Sequence, residues 1–396
     1  MKVLLLSNLY PSRREPTFGM FHYNLFGELS RHCETRLIAP VPWWWRIKQP
    51  MDWIRPPHET HTGIDAVFPC YWSIPSMHSI HAKCMYWTLL RRVKRLRRTF
   101  PFDIILAAWA YPDAVAGAYL AQKFDCPLVS KVLGSDINEN TRDEKMRKQV
   151  LWALNRSHTI MAVSGALEEK LVEMGIPRER IVMHHNGVNG TQFTVKDRNE
   201  ARARVGLPLD RTIICYVGNL KPEKGVDVLV EAMAELHKLG REDADLVVIG
   251  GGAQEPSLRA RASALGLENR IRFIGKKPHT EIPDWISASD IFCLPSRREG
   301  CPNVILEGLA SGRPVVATAV GGVPELIHGD NGILVPSENP AALAAGLKEG
   351  LERAWDPVQL RSSVESLSWE EISLTLYNLL ARAISDHTGH PQLAMS

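Results

Sequence analysis

Two glutamates, Glu299 and Glu307, have the spacing in this chain that most strongly suggests chemistry. Pro302 between them suits the first position of a helix, and Gly312 suits the C-terminal end of that helix. At a rise of about 1.5 Å per residue, the two carboxylates are separated by roughly one and a half turns, near 7 to 8 Å along the axis. A helix N-terminus carries a partial positive charge and can hold a phosphate. Such a pair could grip the sugar and the ribose of a sugar nucleotide.

A chance pair of glutamates on a solvated helix is the simpler interpretation, and the residues that follow argue against it. The apolar run Val315–Thr318 has the pattern of a buried strand, and it leads into a glycine-rich turn at 320–325. In open parallel sheets, ligands bind at the carboxyl ends of the strands. The pattern therefore places both glutamates at a ligand-binding edge.

The segment 295–327 resembles the E-x7-E signature of the family 4 retaining glycosyltransferases, a group with the GT-B fold. That fold has two Rossmann-like parallel-sheet domains of the α/β class, which face each other across a cleft. The resemblance extends over nearly the whole chain, through the segments 186–189, 217–225, 250–252 and 368–370. The segments 10–12 and 134–138, with Gly19, are similar to the subgroup that serves bacterial exopolysaccharide and teichuronic-acid-type pathways.

The resemblance implies a donor site in the second domain for a UDP- or GDP-linked sugar, and transfer with retention and without a metal ion or cofactor. Glu299 would face the donor sugar, Glu307 the ribose hydroxyls, and Lys224 the leaving diphosphate. The family usually has arginine where Asn219 stands, so one cation of that site is replaced by a neutral amide. Cys301 is interpreted as a small packing residue rather than a nucleophile. The other expected donor-site residues are Gly218, Asn219, Gly251, Gly275, Gly300, Cys301, Pro302 and Asn303.

The acceptor site is expected in the first domain, at Gly19, Tyr111, Asp113 and Asp136. Asp136 follows a predicted strand. We interpret it as a catalytic-site partner for sugar or acceptor hydroxyls, with a helix N-cap as the alternative. Many relatives have a histidine where Leu133 stands, so no catalytic histidine is carried over to that position.

Short apolar runs alternate with helical patterns along the chain, which is typical of parallel α/β layers. This pattern predicts twelve strands: 3–7, 36–39, 103–107, 128–132, 159–163, 181–184, 213–217, 246–249, 271–274, 291–294, 315–318 and 333–335. We predict an acceptor-binding domain over 1–190 and a nucleotide-sugar-binding domain over 191–367. A helix over 368–386 would pack back on the first domain, and 387–396 would form a flexible tail. The first strand runs into 10–12 without a G-x-G-x-x-G motif, which disfavours a dinucleotide-dependent dehydrogenase.

Length and composition agree with a two-domain globular protein. The chain has 396 residues, 45% of them hydrophobic and 23% charged, and it is long for one hydrophobic core. Its N-terminal apolar run suits a buried strand better than a secretory signal, and no apolar run reaches the length of a membrane span. Seven scattered cysteines without C-x-x-C spacing disfavour a disulfide framework or a zinc site and favour a reducing cytoplasm.

One acidic pair, Asp243 and Asp245, resembles the D-x-D metal motif of a different glycosyltransferase fold. It precedes its predicted strand, so it lies at the end of the sheet away from the ligand edge. We therefore expect a solvated turn there and no catalytic metal.

The first hundred residues are strongly basic. They carry 15 Lys/Arg and 6 Asp/Glu, a net charge of +9 against +3 for the whole chain, and six of the eleven tryptophans. The segment 91–98 has six cations in eight residues. A solvated helix face, a nucleic-acid surface and a peripheral membrane surface are all possible, but no nucleic-acid motif accompanies the run. Each cation near anionic lipid contributes about 1 kcal/mol, which favours contact with the inner face of the plasma membrane and a lipid-linked or oligosaccharide acceptor.

Two other functions stay open at this point. A nucleotide-sugar 2-epimerase can have the same overall fold, and Asn219 and Leu133 also leave room for a catalytically silent nucleotide-sugar-binding scaffold.

Overall fold

The computed structural model of the protein describes residues 1–12, 15, 18–46, 58–61, 63–74 and 77–389. The chain divides into two compact units. The first unit is Met1–His185 together with Trp369–Ser396, and the second is Asn186–Ser368. The boundary predicted after residue 190 lies five residues beyond the one between His185 and Asn186.

The first unit contains an eight-stranded sheet in the order β10-β9-β8-β7-β1-β2-β5-β4 and a separate pair, β3 and β6. All neighbours are parallel except β4 and β5. The six strands predicted here are present to within two residues of their predicted ends, whereas β3 to β6 were not predicted. The strands are β1 (Lys2–Leu6), β2 (Glu34–Ile38), β3 (Val41–Pro42), β4 (His58–His61), β5 (Ile64–Val67), β6 (Cys70–Tyr71), β7 (Ile104–Ala107), β8 (Leu128–Val132), β9 (Thr159–Ala162) and β10 (Ile181–Met183).

Helices connect these strands, and the buried strands read as apolar runs because both of their faces are covered. Every residue of β7 and β8 is buried. The helices are α1 (Met20–Leu29), α2 (His81–Thr99), α3 (Val115–Phe124), α4 (Ser135–Asn138), α5 (Glu144–Leu154) and α6 (Gly165–Glu173).

The second unit contains a six-stranded parallel sheet in the order β13-β12-β11-β14-β15-β16. All six predicted strands are present to within two residues of their predicted ends: β11 (Thr212–Val217), β12 (Ala244–Ile249), β13 (Ile271–Gly275), β14 (Ile291–Leu294), β15 (Val315–Thr318) and β16 (Gly332–Val335). The helices are α7 (Arg198–Val205), α8 (Val226–Lys238), α9 (Glu255–Ala264), α10 (Ile282–Ser287), α11 (Asn303–Ala310), α12 (Pro340–Glu352) and α13 (Pro357–Ser362).

The last helix, α14 (Trp369–Thr388), belongs to the first unit, where it packs against α1. His184 lies 3.1 Å through Nε2 from the carbonyl oxygen of Ile372 on this helix. An apolar stripe along this helix is buried at Ile372, Leu376, Leu380 and Ala383 and half-buried at Leu379. The helix continues two residues into the predicted tail, and 390–396 lie outside the described residues.

Each sheet has a switch point where chain connections leave in opposite directions. It lies between β1 and β7 in the first sheet and between β11 and β14 in the second. Ligands of open α/β sheets bind beyond the carboxyl ends of strands at such points. None of the helices in the described part of the chain is long and apolar enough to cross a membrane.

Candidate functional site

The switch point of the second sheet holds an ion pair between the loops that follow β11 and β14. Lys224 Nζ lies 2.7 Å from Glu299 Oε1, and the Ser296 hydroxyl donates to the same oxygen at 2.6 Å. The Glu299 side chain is 7% exposed and that of Lys224 is 27% exposed. The sequence placed both residues at this edge, and the structure brings their charged atoms into direct contact.

Two glycines allow the neighbouring loops to approach Glu299 closely. Gly225 has φ +63°, and a Cβ there would lie 2.1 Å from the carbonyl oxygen of Pro295. Gly321 has φ +53°, and a Cβ there would lie 2.0 Å from the carbonyl oxygen of Glu299. Since real Cβ atoms do not come so near to backbone, these contacts require glycine. The loops after β11, β14 and β15 therefore pack backbone against backbone around the carboxylate.

Arg297, which was not predicted to belong to the site, also connects these loops. Arg297 donates from Nη1 and Nη2 to the two carboxylate oxygens of Asp227, at 2.8 and 2.7 Å. Its Nε donates to Glu338 at 3.0 Å. Hydrogen bonds to Asp227 raise the pKa of Arg297 above its ordinary value. A bidentate pair of this kind fixes geometry as well as charge, so Arg297 holds the start of the loop that carries Glu299.

The helix α11 begins one residue later than predicted. Pro302 is its cap, with extended backbone, and Asn303 is the first helical residue. Gly312, with φ +69°, follows the C-terminal cap as predicted. The first N–H groups of the helix have no carbonyl partner within it. Asn186 ties this end down, because its amide donates to Asn303 Oδ1 at 2.9 Å and to the Cys301 carbonyl at 3.3 Å.

Glu307 is the fifth residue of α11, and it is buried. Its Oε1 lies 3.1 Å from His279 Nε2. Gln192 in turn donates to the carbonyl oxygen of His279 at 2.9 Å and lies 3.1 Å from its Nδ1. Neither His279 nor Gln192 was predicted to belong to the site. The position of His279 shortly after β13, at the ligand edge, was the available signal.

The expected donor-site residues Gly218, Asn219, Gly251 and Gly275 lie at the carboxyl ends of β11, β12 and β13, and Gly300 lies after β14 in the loop that carries Glu299. Gly218 follows β11, and the Tyr216 hydroxyl donates to the Asn219 carbonyl at 3.0 Å. Gly275, with φ +80°, accepts from the Gly250 N–H at 2.9 Å. Gly251 faces the Lys276 side chain, so the predicted donor residues of the second unit gather along one edge of one sheet.

In the first unit, the loops after β1, β7 and β8 are joined by two buried aspartates. Asp113 accepts from the Asn8 N–H at 2.8 Å, and Asp136 accepts from the Ala110 N–H at 2.8 Å. Asp136 also accepts from the N–H groups of Leu133, Gly134 and Ile137. Both side chains are fully buried, and burial raises the pKa of each carboxyl group.

This burial changes the interpretation of the expected acceptor-site residues. Asp136 organises the loop at Gly134 through backbone N–H groups and does not present an open carboxylate. Gly134, not Asp136, is the cap of α4. The Tyr111 hydroxyl is also engaged inside the unit, where it donates to the His78 carbonyl. A Cβ on Gly19, with φ +71°, would lie 2.4 Å from the Leu9 carbonyl oxygen, so Gly19 supports a tight loop.

The acidic pair lies at the amino end of β12, as predicted. Asp243 is in the turn before the strand, with its side chain 46% exposed, whereas Asp245 is on the strand and not in a solvated turn. Asp245 is buried and lies 2.8 Å from Arg211 and 3.5 Å from Arg270. Asp243 accepts from Arg241, which lowers the pKa of Asp243 below its ordinary value. Among the described residues there is no group of three or more His, Cys, Asp or Glu side chains that could hold a metal ion.

Comparison with known proteins gives matches over both units. Residues 197–364 match the family described as Glycosyl transferases group 1, and residues 56–192 match Glycosyltransferase Family 4. Alpha-D-kanosaminyltransferase of Streptomyces kanamyceticus is 38% identical over 70% of this chain and 74% of its own. TuaC of Bacillus subtilis, whose name assigns it to teichuronic acid biosynthesis as a glycosyltransferase, is 28% identical over 90% of this chain and 91% of its own.

Solved structures with the same fold cover nearly the whole chain. Sucrose-phosphate synthase from Thermosynechococcus elongatus aligns with a TM-score of 0.80 at 21% identity, over 97% of this chain and 99% of its own. HepE of Anabaena, crystallised with UDP, aligns with a TM-score of 0.75 at 19% identity, over 96% of this chain and 100% of its own. The predicted GT-B fold is confirmed. With the family matches, these findings show that the chain belongs to the group 1, or family 4, glycosyltransferases.

Proposed function

We propose that this protein transfers a sugar from a nucleotide sugar, with retention of configuration and without a metal ion, to a lipid-linked glycan acceptor. The product would enter a bacterial exopolysaccharide or cell-envelope polysaccharide. The observation that carries the proposal is the Lys224–Glu299 pair at the switch point of the second sheet, beside the N-terminus of α11. This arrangement supplies a cation and a helix dipole for a diphosphate and a carboxylate for sugar hydroxyls.

A nucleotide-sugar donor is supported by the structural neighbours. HepE of Anabaena has been crystallised with UDP, with UDP and glucose, and with UDP-glucose. In our proposal the diphosphate binds Lys224 in place of Glu299. The Glu299 carboxylate then accepts hydrogen bonds from the donor sugar. Before the donor binds, the protein is in a resting state in which the charges of Lys224 and Glu299 neutralise each other.

The proposed reaction breaks the bond between the anomeric carbon and the phosphate oxygen, and the electron pair stays on the diphosphate. The acceptor oxygen bonds to the anomeric carbon, and its proton passes to an oxygen of the departing diphosphate. Retention requires the new bond to form on the face from which the diphosphate leaves. Lys224 and the first N–H groups of α11 would stabilise the charge that grows on the leaving group.

A membrane-bound acceptor is supported by the outer face of α2. The buried face of this helix is formed by Ala82, Met85, Leu89 and Val93. The exposed face carries residues spaced three or four apart, which lie on one stripe: Lys83, Trp87, Arg91, Lys94 and Arg98.

The charge of this stripe is unbalanced, and its tryptophan is 69% exposed. No acidic side chain in the described part of the chain pairs with its four cations. Two other arginines of the segment 91–98 do not belong to this stripe. Arg92 is half-buried, and Arg97 lies over the rings of Phe102 and Phe124. Of the six tryptophans in the first hundred residues, Trp53 lies outside the described residues. An anionic lipid surface complements an exposed tryptophan flanked by free cations, which agrees with a protein acting on the inner face of the plasma membrane.

The donor half of the proposal is tested by incubating the protein with a panel of UDP- and GDP-linked sugars. We expect one of them to raise the melting temperature and, with a lipid-linked glycan acceptor, to give a product whose anomeric configuration by NMR matches the donor. An inverted product would refute retention. Conversion of the nucleotide sugar without any acceptor would indicate the 2-epimerase instead, and binding without turnover would indicate a silent scaffold.

The membrane half is tested by liposome co-sedimentation of the full chain. Changing Lys83, Arg91, Lys94 and Arg98 to glutamine should reduce binding to anionic vesicles and leave the melting temperature unchanged. A charge-matched control replaces four cations of the second unit, Arg204, Lys238, Arg259 and Arg353. Wild-type binding should also weaken with salt, because the Debye length falls from about 8 Å at 0.15 M to about 3 Å at 1 M. Equal losses in both variants would refute a specific membrane face.

A further inference from the structure

The hydrogen bonds that reach Glu307 join three segments that are far apart in the sequence. Glu307 lies in α11, His279 lies between β13 and α10, and Gln192 precedes α7. Gln192 contacts His279 at two atoms, and His279 contacts Glu307 through Nε2 at 3.1 Å. The Glu307 side chain is 10% exposed and that of His279 is 25% exposed. The three residues form one continuous hydrogen-bonded chain that ends at a carboxylate.

The contacts of Gln192 define which nitrogen of His279 carries the proton. The carbonyl oxygen of His279 can only accept a hydrogen bond, so the Gln192 group 2.9 Å from it must be the amide N–H₂. The same amide nitrogen lies 3.1 Å from Nδ1, which must then accept as well. Neutral imidazole has one donor nitrogen. The proton therefore sits on Nε2 and points to Glu307 Oε1.

Glu307 is the charged group that acts on the pKa of His279. Burial disfavours the charged imidazolium, and the hydrogen bond and charge of Glu307 outweigh that effect, so the pKa of His279 is raised. Two cations close to the cluster in the sequence have partners of their own. Lys277, two residues before His279, lies 3.3 Å from Glu281, and Lys196, four residues after Gln192, lies 2.8 Å from Asp284. The Phe193 ring meets the imidazole edge-on, with its centroid 5.4 Å away. Whether neutral or charged, His279 thus directs an N–H at Glu307.

We propose that His279, oriented by Gln192, is a positioning residue that fixes Oε1 of Glu307 so that Oε2 is the oxygen offered to the ribose hydroxyls of the nucleotide. The proposal rests on the proposed function, since it requires a nucleotide at Glu307. A glutamate on the rim of a site loses rotamer freedom when it binds, and a side chain that is already held loses less. His279 would therefore contribute to affinity for the ribose without touching the ligand.

The test compares nucleotides that differ by one hydroxyl. UDP, 2′-deoxy-UDP, GDP and 2′-deoxy-GDP are titrated by calorimetry into the wild type and into His279→Ala. The wild type should prefer the ribose form of its nucleotide about tenfold, which corresponds to about 1.4 kcal/mol. In His279→Ala that preference should fall to about twofold or less. His279→Gln, which can again direct an amide N–H at Glu307, should restore most of it, and the exposed His328→Ala is the matched control.

Further variants separate positioning from a general structural role. In a Glu307→Gln background, His279→Ala should cause no further loss of the ribose preference, because the group that it positions has changed. Gln192→Leu should lower the preference in the same direction and also tests the proposal should His279→Ala not fold. An unchanged ratio of ribose to deoxyribose affinity in His279→Ala or Gln192→Leu would overturn the inference. A wild type that binds neither UDP nor GDP would instead refute the proposed function.

Discussion

Neutralising one partner of the Lys224–Glu299 pair should cost more stability than neutralising both. In Lys224→Met, the Glu299 carboxylate keeps the Ser296 hydroxyl but loses the ammonium group that lies 2.7 Å away. Glu299 is nearly buried, so solvent cannot replace the lost partner fully. The double variant Lys224→Met/Glu299→Gln leaves no charge unpaired, and it should recover most of the loss.

The size of the effect follows from the exposure of the two side chains. Hydrogen bonds to charged groups contribute about 1.5–3 kcal/mol. Lys224 is about a quarter exposed, so part of its charge is screened, and we expect about 1–2 kcal/mol for Lys224→Met. For a domain of 150–250 residues, each kcal/mol lowers the melting temperature by about 2–4 °C. The single variant should therefore melt about 2–8 °C lower than the wild type.

The two measurements are thermal melting of the full chain and turnover of the nucleotide sugar identified by the panel. In a double-mutant cycle, the stability losses of Lys224→Met and Glu299→Gln should exceed that of the double variant by about the coupling energy. Activity should not recover, because Lys224→Met removes about 10²- to 10³-fold from kcat/KM. Additive stability losses would refute the structural role of the pair. Turnover of Lys224→Met within threefold of the wild type would refute the role of Lys224 in leaving-group stabilisation.

Three further predictions concern backbone packing, metal dependence and acid stability. Gly250→Ala should destabilise the second unit strongly in thermal melts, because its Cβ would lie 1.8 Å from the Gly218 carbonyl oxygen, whereas Gly266→Ala, with open space around it, should cost only about 1–2 kcal/mol. EDTA should leave turnover unchanged, and restoration of lost turnover by Mg²⁺ would contradict the metal-free proposal. Burial lowers the pKa of His22 from 6.5 to about 3, so its stabilising contribution is present above pH 6.5 and is lost as the pH falls towards 3, by roughly 1.4 kcal/mol per unit. A flatter denaturation profile over that window in His22→Gln would confirm this, and an unchanged slope would contradict it.

Local signals in the sequence were sufficient for the twelve strands with long apolar runs and for the helix that carries Glu307. The buried strands appear as uninterrupted apolar runs, since helices cover both of their faces. Gly312 stops α11 because its left-handed backbone suits glycine. The short strands β3 to β6 lack such a signal, because β3 and β6 have only two residues each, β4 is polar throughout and Asp65 interrupts the apolar residues of β5.

The partners of the site residues could not be predicted, because they depend on contacts between distant segments. Arg297 and Asp227 are 70 residues apart, and Gln192 and His279 are 87 apart. Asp136 illustrates a different difficulty, because most of its partners are close to it in the sequence. Its position after a strand indicated a ligand contact, but a short carboxylate can also accept N–H groups from its own loop. Three backbone donors of that loop do so here, and the N–H of Ala110 is a fourth donor from the loop after β7.

The two switch points differ in what they offer to a ligand. In the second unit, Lys224 keeps about a quarter of its side chain exposed, so its charge is available to a diphosphate. In the first unit, Asp113 and Asp136 are fully buried, and burial favours their neutral forms. Such groups shape loops rather than bind hydroxyls directly. A substitution such as Asp136→Asn should then act through the geometry of the Gly134 loop. The amide has one acceptor oxygen where the carboxylate has two, so it can accept only some of the same hydrogen bonds. Loop shape, more than fixed charge, is therefore the property of the first unit on which we expect acceptor choice to depend.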